Sequence, residues 1–194
     1  SKLIQYQLKK LFSTIKSSKK KLLLMDLGGN LGFASRYFQD IIDNLRIISI
    51  EPDARNLDFF EINAPQAKAI LGFVGPSKCM VISNEKESNS NNIFSKVESG
   101  YDQVSYKNVS KDLNLLLNDD YVPFIIKVDI EGAEKDLFLN HNNFLSKFPV
   151  IFVEVHDWLF PEHSPSHSVL SFVLEKNYLV LLQGDTLVLI KNDT

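Results

Sequence analysis

The chain has 194 residues, 44% of them hydrophobic, and a net charge of −3, which is one domain's worth of sequence with enough apolar material for a sizeable core. No apolar run approaches the ~20 residues that span a bilayer, and a lone cysteine, Cys79, excludes an internal disulfide and a cysteine-built metal site. The mild acidity argues against nucleic acid as a partner; a cytoplasmic, reducing compartment is expected, with no signal-peptide core ahead of the first strand.

Charge is unevenly spread. Residues 1–21 hold seven lysines and no acid, so the remainder carries −10. Leu3, Ile4, Leu8, Leu11, Phe12 and Ile15 recur at helical spacing, which predicts a basic amphipathic helix over residues 1–20. Docked by its apolar stripe, it would serve as a cap or lid on a domain of residues 21–194. Leu22–Met25 is a continuous apolar run, the pattern of a central parallel strand covered on both faces. Asp26 follows, then Gly28, Gly29 and Gly32, where the backbone can turn sharply and a ligand can approach without meeting a Cβ. A helix over Leu31–Phe38 would aim its free N–H groups at that ligand. The stretch reads as a nucleotide-type pocket with a carboxylate floor. The dinucleotide pattern G-x-G-x-x-G fails here, because Asn30 and Phe33 stand where the second and third glycines belong.

Arg46–Ile50 is a second strand, ending in Glu51, Pro52 and Asp53. Glu51 lies near the spacing at which an acid closing the second strand bonds a ribose diol, and Asp53 can cap a helix running through Glu61. Ala67–Val74 reads as a third strand, with Gly72 and Gly75 free to admit a flat ring or simply to turn. Cys79–Ile82 is a short strand, Ser83–Asn92 a polar mobile loop, 101–106 an edge strand, and Ser110–Leu117 a helix.

Phe124–Val128 is a buried-type strand interrupted by Lys127, with Asp129 and Glu131 continuing its alternation and Gly132 leading into a helix through Leu139. Val150–Val155 repeats the pattern, and Glu154, His156 and Asp157 close it. In register, Lys127 would meet Glu154 and Asp129 would lie near His156. Parallel strands place ligands beyond their carboxyl ends, so these charges should share a crevice with Asp26. Ser164 and Pro165 start another helix as capping serine and first-turn proline. Tyr178–Gln183 and Thr186–Ile190, joined by Gly184-Asp185, form a closing hairpin. His141, His163 and His167 carry no signal.

Asp-x-Gly-x-Asn-x-Gly resembles the first motif of class I S-adenosylmethionine-dependent methyltransferases. With Ile50-Glu51-Pro52, Val109-Ser110 followed by Asp112-Leu113, the block Lys-Val-Asp-Ile-Glu-Gly-Ala-Glu at 127–134, and the strand bearing Glu154 and His156, the chain from about 21 to 190 resembles the FkbM family of such enzymes. The resemblance implies an α/β, Rossmann-like class I fold: a seven-stranded, mostly parallel sheet with helices on both faces and a C-terminal antiparallel hairpin. It also implies methyl transfer to a hydroxyl of a sugar, polyketide or related metabolite. S-adenosylmethionine would then lie against Asp26, Gly28, Gly29, Asn30, Gly32, Glu51, Pro52 and Asp129, with Lys127, Asp129, Glu154 and His156 around the chemistry. Asp129 or His156 is the expected base. A hard cation on Asp129, Glu131 and Glu154 is the alternative means of acidifying the hydroxyl, but no metal is expected. The partner would be a small molecule or glycan. A nicotinamide-dependent oxidoreductase and a non-catalytic nucleotide-binding domain are the competing readings. The segment 76–100 matches no pattern of the family, so the adenine pocket, within 72–105, stays unassigned.

Overall fold

The computed structural model describes residues 20–76, 80–83, 95–98, 107–159, 161 and 164–192. The basic segment 1–19, Cys79, most of the polar loop, the 101–106 strand and His163 lie outside these residues. Strands β1 (Lys21–Leu27), β2 (Leu45–Glu51), β3 (Lys68–Leu71), β6 (Tyr121–Val128), β7 (Val150–Glu154), β8 (Tyr178–Gln183) and β9 (Thr186–Lys191) form one sheet, ordered β3-β2-β1-β6-β7-β9-β8. Its first five members are parallel, while β9 runs antiparallel to β7 and to β8. Met80–Ser83 (β4) and Ser95–Glu98 (β5) pair separately as a two-stranded antiparallel sheet. The expected sheet and closing hairpin are therefore present, with Gly184 at φ +65° in the two-residue turn.

β1 shows why the sheet is two-sided. Leu23, Met25 and Leu27 enter the larger core with Leu137, Phe138 and Phe172, and Leu22 and Leu24 enter a second core with Phe124, Ile47 and the half-buried Phe38. Successive side chains leave opposite faces of a strand, so a run with no polar member is what two covered faces require. The helices supplying the cover are α1 (Phe33–Ile41), α2 (Ala54–Asn63), α3 (Glu134–Asn140), α4 (Asn142–Leu145) and α5 (Pro165–Lys176), with a 3₁₀ helix over Ser110–Leu116. Pro123 sits inside central strand β6, where its nitrogen can donate no ladder bond. The register between β1 and β6 shifts at that point, between Leu23 and Leu24, the irregularity that lets a sheet tolerate proline.

Some boundaries differ from expectation for identifiable reasons. β1 does not stop at Asp26: the strand continues through Leu27 with Asp26 fully buried. β3 ends at Leu71 because Gly72 packs under the Lys107 carbonyl, 2.7 Å from where a Cβ would lie. Ser164 does not cap α5, since its hydroxyl donates to the Pro161 carbonyl; Asp157 Oδ1 instead accepts from Ser166 N at 2.9 Å. No helix among the described residues is long and apolar enough to cross a membrane.

Candidate active site

The sheet order reverses between β1 and β6, and both strands point their carboxyl ends into the crevice formed there. The glycine turn after β1 borders it. Gly28 (φ +83°) and Gly32 (φ +86°) adopt left-handed conformations, as does Asn30 (φ +46°). What approaches these glycines is protein: a Cβ on Gly28 would lie 1.8 Å from the Asp129 carbonyl oxygen, and one on Gly29 1.9 Å from Ser49 Oγ. The turn's amides are also spoken for. Gly28 N and Gly29 N donate to the Ile50 carbonyl at 2.9 and 3.1 Å, Gly32 N to the Gly29 carbonyl, and Asn30 N to Glu51 Oε2. The bonds from Gly28, Gly29 and Asn30 lock the turn onto β2.

Beneath the turn, a polar row crosses three strands. Asp26 stands opposite Ser49 on one side and Lys127 on the other. Asp26 Oδ2 accepts from Ser35 Oγ of α1 at 2.7 Å, Ser49 Oγ donates to the Asp26 carbonyl, and Asp26 Oδ1 lies 3.5 Å from Lys127 Nζ. Lys127 donates to Asp129 Oδ2 and to the Gly28 carbonyl, each at 3.1 Å. Burial pulls the Lys127 ammonium down, but Asp26 and Asp129 outweigh it and hold its pKa above the ordinary lysine value. The expected partnership of Lys127 with Glu154 is not made, because Lys127 is in register with Phe152 of β7 and its amine is drawn back to the carboxylates beside β1.

Glu51, 3% exposed, is engaged on both oxygens. Oε2 accepts from Asn30 N at 2.8 Å, and Oε1 from Asp53 N at 2.9 Å and Asn56 Nδ2 at 3.0 Å. Burial raises its pKa against the pull of those donors. The side chain clamps the glycine turn to the start of α2, and Oε2, with one hydrogen bond, keeps a lone pair open to a hydroxyl. Pro52 continues the bend by a trans bond. Asp53 caps α2 as expected, accepting from Arg55 N.

At the ends of β6 and β7 stands a second constellation. His156, 4% exposed, shares a hydrogen between Nδ1 and Glu134 Oε1 at 2.7 Å. Glu134 is fully buried in the first turn of α3, and its other oxygen accepts from Gly132 N at 2.9 Å. His156 Nε2 points the other way, 3.8 Å from Asp129 Oδ1 and 3.7 Å from Glu154 Oε1. Asp129 thus lies by His156 as the strand register suggested. Burial lowers the imidazole pKa, but Glu134 and then Asp129 and Glu154 raise it on balance. Burial and Asp129 raise the Glu154 carboxyl. Glu131 leaves the strand alternation with φ +39° and is pushed up to about 7, chiefly by burial. Glu134 is the residue that sequence reasoning missed. An acid in a helix's first turn is the ordinary complement of the helix dipole, and nothing in its spacing announces a histidine partner.

Two buried acceptors there make no hydrogen bond: Asn30 Oδ1, and Asp26 Oδ1, which has the Lys127 ammonium 3.5 Å away. Vacant acceptors suit a ligand that brings hydrogens and positive charge, such as the ammonium, sulfonium and ribose hydroxyls of S-adenosylmethionine, and they repel a pyrophosphate. Fold and acceptors are those expected of the S-adenosylmethionine-dependent methyltransferase class. A methyltransferase FkbM domain model matches residues 26–180, and the chain belongs to the FkbM methyltransferase family. The nicotinamide-dependent reading gives way to it. No curated protein sequence matches the chain. Among solved structures it is similar to monomeric WbdD (11% identity, TM-score 0.55), covering 99% of this chain and 41% of that one. It also resembles a candidate caffeoyl-CoA O-methyltransferase from Staphylococcus aureus (13%, TM-score 0.55, 96% of this chain and 83% of that one). A third likeness is to Aeropyrum pernix fibrillarin with natively bound S-adenosylmethionine (10%, TM-score 0.50, 90% and 67%). At these identities the likeness is one of fold, and the chain spans less than half of WbdD.

Proposed function

We propose that the enzyme methylates a hydroxyl of a small molecule or glycan. The observation that carries this reading is His156, buried and tethered through Nδ1 to Glu134, with Nε2 free of hydrogen bonds and facing Asp129 and Glu154 across the crevice. An alcohol must lose its proton as it attacks, and this cluster supplies the groups that could receive it. Bound S-adenosylmethionine supplies an electrophilic methyl group on its sulfonium.

The chain's own task is placement, since holding the two reacting atoms in line accounts for much of such a rate. Asp26 and Asn30 offer acceptors to the amino-acid and sugar portions of the donor, Glu51 offers its remaining lone pair to a ribose hydroxyl, and Gly28, Gly29, Gly32 and Pro52 shape the turn that carries them. Lys127 touches Asp26, the Gly28 carbonyl and Asp129. It thereby ties the donor's side of the crevice to the acceptor's side, and Asp129 borders both.

The test is incubation with isotopically labelled S-adenosylmethionine and a panel of sugar, polyketide and phenolic alcohols, read by mass spectrometry. Label on an acceptor oxygen supports the reading, and label on nitrogen or carbon overturns it. His156→Ala should lower turnover far more than donor affinity; an equal loss in both would remove His156 from the chemistry.

A further inference from the structure

Three donor groups converge where β6 and β7 end: Asp129, Glu154 and His156, each offering one atom within 4.8 Å of the others. His156 Nε2 lies 3.8 and 3.7 Å from the two carboxylates. These separations are too long for hydrogen bonds. A point equidistant from the three atoms lies about 2.4 Å or less from each, within the ~2.3–2.6 Å of Ca²⁺–oxygen contacts and a small side-chain adjustment from the ~2.0–2.1 Å of Mg²⁺. We propose that Asp129, Glu154 and His156 form a divalent-cation site, taking Mn²⁺ or Mg²⁺, at the acceptor end of the crevice.

An independent feature points the same way. The imidazole is buried, and its other nitrogen is fastened to Glu134, which is fastened in turn to Gly132 N. A carboxylate behind a histidine fixes the ring's orientation and raises its basicity as a ligand, and metal-binding histidines are held this way. Charge agrees. Asp129, Glu131, Glu134 and Glu154 gather around one imidazole, and the nearby ammonium, Lys127, already lies against Asp26, Asp129 and the Gly28 carbonyl. The ligand set differs from the all-carboxylate alternative raised from sequence, where no metal was expected: His156 stands in for Glu131, whose backbone turns out of the strand alternation. One nitrogen among the oxygens favours Mn²⁺ over Mg²⁺ or Ca²⁺.

What the cation does rests on the hydroxyl reading above: a Lewis acid there lowers the pKa of a bound alcohol, with His156 then acting through the cation rather than taking the proton on Nε2; whether the cation binds does not rest on that reading. The experiment is Mn²⁺ titration of the chelator-stripped protein, followed by calorimetry and by loss of the free Mn²⁺ electron paramagnetic signal. Saturable one-to-one binding is expected. It should weaken at least tenfold in Glu154→Gln, a change at a part-exposed side chain that leaves the fold intact, and roughly 10- to 100-fold in Glu134→Gln, which touches no cation. Donor binding is followed on the same samples by the rise in melting temperature with S-adenosylmethionine. Absence of saturable Mn²⁺ binding in protein that still responds to the donor overturns the proposal, as does binding indifferent to Glu154→Gln. A protein that binds Mn²⁺ in this way yet places its labelled methyl on nitrogen retains the cation site and loses the hydroxyl reading.

Discussion

Glu51 tests whether one side chain both holds the turn and meets the donor. Replacing it with alanine orphans Asn30 N, Asp53 N and Asn56 Nδ2, which now donate at 2.8, 2.9 and 3.0 Å. An unsatisfied buried donor costs about 1–3 kcal/mol. The three losses do not add in full, because Asn30 sits on a half-buried turn that water can reach, and because the alanine also removes the cost of burying a charge. Glu51→Ala should therefore lose about 3–5 kcal/mol of unfolding free energy in urea at neutral pH. Glu51→Gln keeps the shape and Oε1 but turns an amide NH₂ toward the Asn30 N–H, so one bond is lost and about 1–2 kcal/mol with it. Donor affinity is read separately by calorimetry on folded protein. If the spare lone pair on Oε2 takes a ribose hydroxyl, Glu51→Gln weakens binding by about 1–3 kcal/mol, roughly 5- to 150-fold in Kd. A stability loss under 1 kcal/mol in Glu51→Ala would refute the clamp, and an unchanged Kd in Glu51→Gln would refute the ribose contact.

Gly28→Ala places a Cβ 1.8 Å from a backbone carbonyl at φ +83°, so about 3 kcal/mol or more of stability should go; a urea midpoint near that of the parent protein would show that β6 can give way there. Lys127→Met strips the fully buried Asp26 of its nearest cation and should cost about 3–5 kcal/mol, with a loss below 1 kcal/mol showing that Ser35 alone satisfies the carboxylate. Arg55 holds the Asp53 carboxyl below its usual value of 3.8, so the charge stabilises the folded state. That contribution is present above the unfolded pKa and disappears as pH falls through the lower folded one. Asp53→Asn, which retains the helix cap, should flatten the fall in melting temperature around and below pH 3.8; an acid limb as steep as the parent's would exclude Asp53 as its source.

The architecture was legible because burial writes itself into composition. A strand covered on both faces needs an unbroken apolar run, and Leu22–Met25, Phe124–Ile126 and Val150–Val153 are such runs. The punctuation was legible too, since few residues besides glycine accept φ +83° at Gly28 or +65° at Gly184. What those glycines accommodate was not. Glycine's lack of a Cβ reads the same whether the neighbour is a ligand or a carbonyl, and here the neighbours are the Asp129 carbonyl and Ser49 Oγ.

The charged residues show where reading along a chain reaches its limit. Lys127 has acids on either side, and its choice depends on the β1–β6 register, which the shift at Leu23 displaces by a residue that no periodicity reveals. Set opposite Asp26, its amine lies against carboxylates on its own strand and the next, and Glu154 is left to face His156. Glu134 is harder still, because its value depends on a histidine 22 positions away arriving at 2.7 Å. The consequence is a division of labour across the crevice. Beside β1 the carboxylates are bonded to serine, lysine and backbone amides, so their charge is largely spent on holding shape. Beside β7 Asp129 Oδ1 and Glu154 Oε1 stand farther than hydrogen-bond distance from a buried imidazole nitrogen, so these oxygens remain available although Asp129 Oδ2 is held by Lys127. Substitutions in the first group should move stability and donor affinity together, and those in the second should move turnover and cation binding, a separation that calorimetry and kinetics on one set of variants can resolve.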